Sequence, residues 1–589
     1  MAQRAIIESV WLGEPRSFAP SVAQRRESDR LSDPFAALAI AAVAATASAL
    51  LYALAAAVPG LWPCALLAPL PILATAPEIR TATAAQIAFI AYFVGNLVGW
   101  GGESIAAPVI VMFASHVAGA IVFAVFVACA TEATRRWSGE LAALVFPTLG
   151  AAFYFALGAQ SPHGTWGSPA YSQVDFVPLI QIASWLGMCG VMFIMLLLPS
   201  GLAVAWYRRR WHMDWKHPAM MAAGVFGLAV ALGWIRVMLM PATPSVRVAM
   251  VASNSMAPQS ESGDVRDATA VIGLYAKLVR QAASGGAQIV VMPEKTVGVA
   301  PSYEGDVVQG FQEIASVSHV WLVVGLNEIE RTPKKNIAVV LGPDGEIIAT
   351  YAKRHPVSDL EGDYAAGSHP AIFDAPWGRT AVLISQDLDF PHTARELAAK
   401  DVRVVMAPAS DWAGSERIHQ QMAVVRGIEW GFSIARAARG GMVSANDSRG
   451  RQIAARASAA GEDAIAIGDL PLGTGATLYS RTDDWFGHLC VMFTILLVLR
   501  LGVSIWYAAR MRRVAGVNRV MPAGVVSVDI EVPELEPGQG PEEVPAAQWQ
   551  HDETRIYHVR SRRPDYALLE SEKPSKSAGR DFFRGTRNL

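Results

Sequence analysis

Long apolar runs constrain this chain more than any other feature. A bilayer span takes roughly 20 mainly apolar residues. Stretches of that kind occur at about 35–58, 60–77, 84–103, 105–130, 141–158, 186–206, 219–240 and 486–508. Hydrocarbon offers the backbone no hydrogen-bond partner, so each is expected to be a helix. The second is the weakest of the eight, being short and carrying Pro63, Pro69 and Pro71. The mean hydropathy of +0.29 hides two chemistries. Ala/Leu/Val/Phe runs dominate before about Met240, and ordinary globular sequence follows.

Basic residues orient such a bundle, because Lys and Arg favour the cytoplasmic side. Arg135-Arg136, Arg208-Arg209-Arg210 with Lys216, and Arg510 with Arg512-Arg513 all flank spans. With eight spans and an inside N-terminus, every cluster falls on the cytoplasmic side, and the region between spans seven and eight falls outside. The expected organisation is therefore a cytoplasmic extension (1–33), a seven-span bundle (34–242), an extracytoplasmic domain (243–482), an eighth span (483–509) and a disordered cytoplasmic tail (510–589). The loop Gln160–Gln173 is rich in aromatic and turn residues and reads as an outer interfacial belt, in which His163 is a lone histidine. With 49 basic and 51 acidic residues, nothing points to nucleic acid.

After Val246 short β-branched strands alternate with helical segments. Strands are expected at 246–251, 288–292, 320–326, 338–341, 347–351, 381–384 and 402–407, and helices at 265–284, 305–318, 392–399 and 416–431. Gly342-Pro-Asp-Gly345 marks a turn between two strands. The mixture predicts an α/β sandwich. Cys64, Cys129, Cys189 and Cys490 all lie in or beside apolar runs, which leaves the globular region without a disulfide, a thiolate metal site or a thiol nucleophile.

Three strands there end in a chemically active residue: Ile289-Val-Val-Met-Pro-Glu294, Ile347-Ile-Ala-Thr-Tyr-Ala-Lys353 and Ala381-Val-Leu-Ile-Ser385. If these strands are neighbours, an acid, a cation and a hydroxyl meet at one sheet edge. That set suits acyl transfer: Glu294 takes the proton of Ser385, while Lys353 and the backbone N–H of Gln386 hold the oxyanion. Strand-end charges are otherwise ordinary solvated residues. On the helix after 416, Met422, Arg426 and Glu429 share a face and read as core packing with one ion pair.

These residues sit in longer motifs. Met292-Pro-Glu294, Tyr351-Ala-Lys-Arg-His-Pro-Val-Ser-Asp-Leu-Glu361 and His419–Glu429 resemble the carbon–nitrogen hydrolase (nitrilase) superfamily. Ala170-Tyr-Ser-Gln173 and Asp484-Trp-Phe-Gly487 extend the likeness to the apolipoprotein N-acyltransferase family, over about 55–508. The resemblance implies an α-β-β-α sandwich outside an eight-span inner-membrane bundle. It also implies catalytic Glu294 and Lys353 with Glu361 in support, no cofactor or metal, and phospholipid and lipoprotein substrates. The family's Cys-Tyr-Glu is here Ser385-Gln386-Asp387, so serine stands where the nucleophilic cysteine is expected, and Asp387 either supports the site or satisfies backbone N–H groups. The family's Pro-Phe-Gly is Ser358-Asp359-Leu360, and its Ser-Asn-Asp-x-Trp-Phe-Gly is shortened to Ala409-Ser-Asp-Trp-Ala-Gly414.

A serine hydroxyl is far less acidic than a thiol and usually employs a histidine base. His355 and His419 lie in these motifs, though at positions that do not carry the base. Three functions stay open: acyl transfer through Ser385; an inactive or repurposed member serving an envelope or transfer complex, as in conjugal-transfer proteins of the TraB type; and an amidase or nitrile hydrolase with water as acceptor.

Overall fold

The computed structural model describes residues 34–99, 109–239, 243–358, 360–411, 416–458 and 462–517. The expected extension 1–33 and the tail beyond 517 lie outside them, as do Asp359 and Trp412–Gly414 of the two altered motifs.

Seven helices are long and apolar enough to cross a membrane. They lie within α1 (Pro34–Ala57), α4 (Thr81–Gly99), α5 (Val109–Arg136), α6 (Gly139–Gln160), α7 (Ala183–Arg210), α8 (Lys216–Met238) and, beyond the domain, α13 (Trp485–Val517). The stretch 60–77, expected as one span, is two short helices instead, α2 (Trp62–Leu67) and α3 (Leu70–Thr75). Proline lacks an amide hydrogen and clashes with the preceding turn, so Pro69 and Pro71 break what Pro63 begins.

The broken pair nonetheless runs the length of the bundle. At one end the Trp62 carbonyl accepts from Gln173 Nε2 (3.2 Å) and the Trp62 ring stacks on Phe176. At the other, Arg135 Nε donates to the Pro77 carbonyl (3.1 Å) and Arg210 pairs with Glu78 (3.3 Å). The basic ends of α5 and α7 thus share one face with residues 77–78, opposite the loop after α6. Close packing in lipid needs small residues. A Cβ on Gly95 or Gly99 of α4 would lie 2.7 Å from the Ala49 carbonyl oxygen or 2.5 Å from the Ala56 methyl of α1.

The domain holds two sheets. The first runs β13 (Asp463–Pro471), β1 (Ser245–Ser253), β2 (Ile289–Val291), β4 (Trp321–Glu328), β5 (Lys335–Leu341) and β6 (Ile347–Ala352), with β3 (Val297–Val299) on β4. The second runs β12 (Gln452–Ala457), β11 (Met442–Asn446), β10 (Ser433–Arg439), β9 (Val404–Ser410), β8 (Gly378–Val382) and β7 (Ala371–Ala375). Strands β1, β2 and β4 are parallel, as are β8, β9 and β10. Val248, Val291, Val323 and Tyr351 of the first sheet pack against Val382, Val404, Met406 and Ile434 of the second, forming the central core.

Helices α9 (Val265–Ser284) and α10 (Glu304–Ser318) cover the first sheet through Val271, Leu278 and Phe311. Helices α11 (Pro391–Ala399) and α12 (Glu416–Trp430) follow the strands of the second. The α-β-β-α order expected from the sequence is present. The strands that went unread, including β7 and β10 to β13, are rich in Ala, a residue depleted in strands. Met422, Val425 and Ile428 of α12 are buried in one cluster with the membrane helices, each contributing roughly 1.5–3 kcal/mol.

Candidate active site

Glu294 follows β2 at the meeting of the two sheets: its backbone N–H donates to the Ala409 carbonyl of β9 (3.2 Å). The chain reverses directly after it, with Lys295 in the left-handed region at φ 51°. Lys353 follows β6, where its backbone N–H donates to the Asn336 carbonyl of β5 (2.9 Å). Its Nζ bonds Glu294 Oε1 at 2.7 Å and Glu361 Oε2 at 2.8 Å.

Two residues that the sequence did not single out complete the network. Asn336 Nδ2 donates to Glu294 Oε1 (2.6 Å) and to Glu361 Oε1 (2.9 Å). Lys295 Nζ meets Glu361 Oε1 at 2.5 Å and lies over the Tyr364 ring. Glu294, Lys353 and Glu361 are each at most 3% exposed. Burying a single ion this way costs several kcal/mol, so the set stands only because it is mutually paired.

Burial works against the ammonium of Lys353, but Glu294 and Glu361 outweigh it and raise its pKa, keeping it charged. Burial also pushes Glu361 upward, but Lys353 and Lys295 overcome it and hold the carboxyl at about 2. A carboxylate with a depressed folded-state pKa stabilises the fold above its unfolded value near 4.3, and that stability is lost as pH falls toward the folded value. Wild type is therefore expected to lose up to about 3 kcal/mol between roughly pH 4.5 and 2 through this group. Glu361→Gln should lack that acid limb in thermal unfolding measured across this range. An unchanged slope would exclude Glu361 as its source.

Strand β8 ends at Val382, two residues earlier than the buried run suggested. Ser385 then opens a tight turn (Ser385–Asp389) in the left-handed region, with φ 45°. A non-glycine residue there is held by its surroundings, and Asp387 does the holding. Its Oδ2 accepts from Tyr351 OH (2.8 Å) and the Ile384 N–H (3.1 Å). Its Oδ1 accepts from the N–H groups of Arg354 (3.1 Å) and His355 (2.9 Å) and from His355 Nδ1 (3.0 Å). Asp387 therefore ties the Ser385 turn to the residues next to Lys353. Burial, and then the adjacent carboxylate, push the Tyr351 hydroxyl well above its usual pKa, so it stays a donor.

Glu294 and Glu361 thus both contact Lys353, and Asp387 ties the Ser385 turn to Arg354 and His355, the two residues after Lys353. Among the described residues the Ser385 hydroxyl makes no hydrogen bond, and Glu294 keeps Oε2 unengaged. Gln386 is turned toward the bundle, its Nε2 3.4 Å from the Pro162 carbonyl. His419 is buried in α12, and burial lowers its pKa to about 4.

On α12, Arg426 and Glu429 form a fully buried ion pair. Arg426 Nη2 also donates to Thr165 Oγ1 (2.9 Å) and Tyr171 OH (3.1 Å), and Glu429 Oε1 accepts from the Met188 N–H of α7 (2.8 Å). The ion pair read from the sequence therefore also docks the domain onto the bundle. A cavity of about 300 Å³ opens at this seam. Tyr154, Phe155 and Met192 of the spans line it, together with Phe390, His392 and Arg426 of the domain.

Two family models match consecutive parts of the chain: the apolipoprotein N-acyltransferase N-terminal domain over residues 48–201 and carbon–nitrogen hydrolase over 247–484. An apolipoprotein N-acyltransferase of Geobacter metallireducens is 26% identical over 359 residues, 55% of this chain and 68% of the relative. Another, from Shewanella oneidensis, is 24% identical over 377 residues, 57% and 70% of the two chains. A nitrilase of Pyrococcus abyssi is 30% identical over 148 residues, 23% of this chain and 56% of the relative. The chain is an apolipoprotein N-acyltransferase-like, multi-pass protein of the bacterial inner membrane that carries a nitrilase-superfamily domain.

Proposed function

We propose that the protein moves an acyl chain from a phospholipid to the N-terminal amine of a lipoprotein, through an ester on Ser385, with its domain on the periplasmic side. The observation that carries this reading is the buried Glu294–Lys353–Glu361 network, whose lysine is followed by residues that Asp387 ties to the Ser385 turn, with Phe390 directly after that turn lining a cavity at the membrane seam. The likeness to N-acyltransferases over both halves of the chain supports the same substrates. The basic ends of α5 and α7 lie at the far end of the bundle from the domain, which supports a periplasmic domain.

In the first half-reaction, Glu294 Oε2 takes the proton of Ser385 as its oxygen attacks the phospholipid ester. Lys353 holds the oxyanion, and Glu294 returns the proton to the departing lysophospholipid oxygen. In the second, the amine nitrogen attacks the new ester and frees Ser385. Membrane-facing access suits two substrates that are both anchored in lipid.

A second reading has an observation of its own: the domain contains no cysteine, and among the described residues the hydroxyl in its place makes no hydrogen bond. On that reading the site is a retained binding pocket within an envelope or transfer assembly. Complementation of a strain depleted of its N-acyltransferase separates the two. Rescue by wild type and not by Ser385→Ala is expected. Rescue by Ser385→Cys alone would favour the repurposed member, and equal rescue by Ser385→Ala would exclude the ester route.

A further inference from the structure

Beyond the carboxylate–lysine network, a chain of side chains leads from the Ser385 turn to the cavity. Asp387 Oδ1 lies 3.0 Å from His355 Nδ1, and His355 Nε2 lies 3.1 Å from His392 Nε2. The His355 ring is stacked on Phe390, 3.9 Å between centroids. Phe390 and His392 both line the cavity at the membrane seam.

With both rings neutral, hydrogen-bond direction fixes the tautomers. A carboxylate oxygen only accepts, so His355 Nδ1 carries the proton facing Asp387. In the neutral ring His355 Nε2 is then an acceptor, and His392 Nε2–H must be the donor between the two rings. That leaves Nδ1 of a neutral His392 without a proton, on an exposed ring at the cavity rim. Burial is the main cause that lowers the pKa of His392, which favours the neutral form at pH 7. The other charged groups around the cavity are Arg426, Glu429 and Asp484.

We propose that His392 is the general base of the second half-reaction, accepting the proton of the incoming amine at Nδ1. The proposal rests on the acyl-transfer reading above. An N-terminal amine has a pKa near 7.7–8.0, so its nitrogen needs a proton acceptor as it attacks near neutral pH. The C–N bond forms, the ester C–O bond to Ser385 breaks, and the proton held by His392 passes to the departing Ser385 oxygen. Atoms and charge balance without a further reagent. Glu294 serves the donor step, and His392 serves the acceptor step from the side of the cavity.

The test follows each half-reaction separately, with the full chain in phospholipid nanodiscs. Acylation of Ser385 is read by intact-protein mass spectrometry, and transfer is read on a lipopeptide with a free N-terminal amine. His392→Gln is expected to acylate within about twofold of wild type and to transfer about 100-fold more slowly. Below about pH 6.5 its transfer rate should rise less steeply with pH than that of wild type, keeping the contribution of the amine and losing that of the imidazole. Hydroxylamine, an amine largely unprotonated at neutral pH, should clear the acyl group from the variant at close to the wild-type rate. Transfer at the wild-type rate in His392→Gln, or an equal fall in both half-reactions, would overturn the assignment. Wild type that takes up no acyl group from phospholipid would instead overturn the acyl-transfer reading, and the proposal with it.

Discussion

Ser385→Cys is expected to form the acyl-enzyme at least about tenfold faster than wild type, when mass gain is followed over time in phospholipid nanodiscs. A thiol with a pKa near 8.5 is already a few per cent thiolate at pH 7, and the thiolate is intrinsically nucleophilic. A serine hydroxyl depends wholly on its base. The base proposed for it is Glu294, a carboxylate whose Oε1 is committed to Lys353 and Asn336. A carboxylate is a weak partner for an alcohol and an adequate one for a thiol. The left-handed backbone at Ser385 and the five donors on Asp387 do not depend on the identity of the 385 side chain, so the turn should survive the exchange. A cysteine variant slower than wild type would mean that the pocket is adjusted to an alcohol nucleophile.

The second large effect is expected at Lys353. Among the described residues Lys353 is the one cation that both Glu294 and Glu361 contact, and Lys353→Met leaves Glu294 buried without a charged partner there. Breaking a buried pair in this way costs about 3–5 kcal/mol. The loss of oxyanion stabilisation should slow acylation by at least about 100-fold. Lys353→Arg should not restore the rate, because a planar guanidinium does not reproduce a compact ammonium held between two carboxylates. The double variant Lys353→Met with Glu294→Gln should recover part of the stability and none of the rate, since it removes the stranded charge without replacing the catalytic one, while Glu361 keeps Lys295. Thermal unfolding and acylation kinetics on the same preparations check both halves. Full stability in Lys353→Met would show that the pairing is not what holds the network together.

Much of this was legible because local pattern and motif agree. Helices at 265–284 and 305–318 are amphipathic and end in clear turn chemistry, and the observed elements differ by at most one residue. Glu294, Lys353 and Glu361 could be placed by motif register alone. Asn336 could not, because its role arises from the antiparallel pairing of β5 and β6, which sets Ile337 opposite Ala352. Lys295 stood next to Glu294 throughout, and a second cation directly after a motif carboxylate was the signal available. The seam between domain and bundle was invisible for the same reason as Asn336. Arg426 reaches Thr165 and Tyr171, more than 250 residues earlier in the chain. The segment 60–77 was the weakest of the eight spans by sequence, and Pro63, Pro69 and Pro71, which marked it as weak, are what divide it into two short helices.

The most direct measurement is intact-protein mass spectrometry of the purified full chain after incubation with phospholipid, followed by localisation of any adduct. Wild type is predicted to gain the mass of one acyl chain on the peptide that contains Ser385, and Ser385→Ala to gain none. The same adduct on Ser385→Ala, or an unmodified Ser385 in wild type under conditions that acylate Ser385→Cys, would contradict an ester on Ser385.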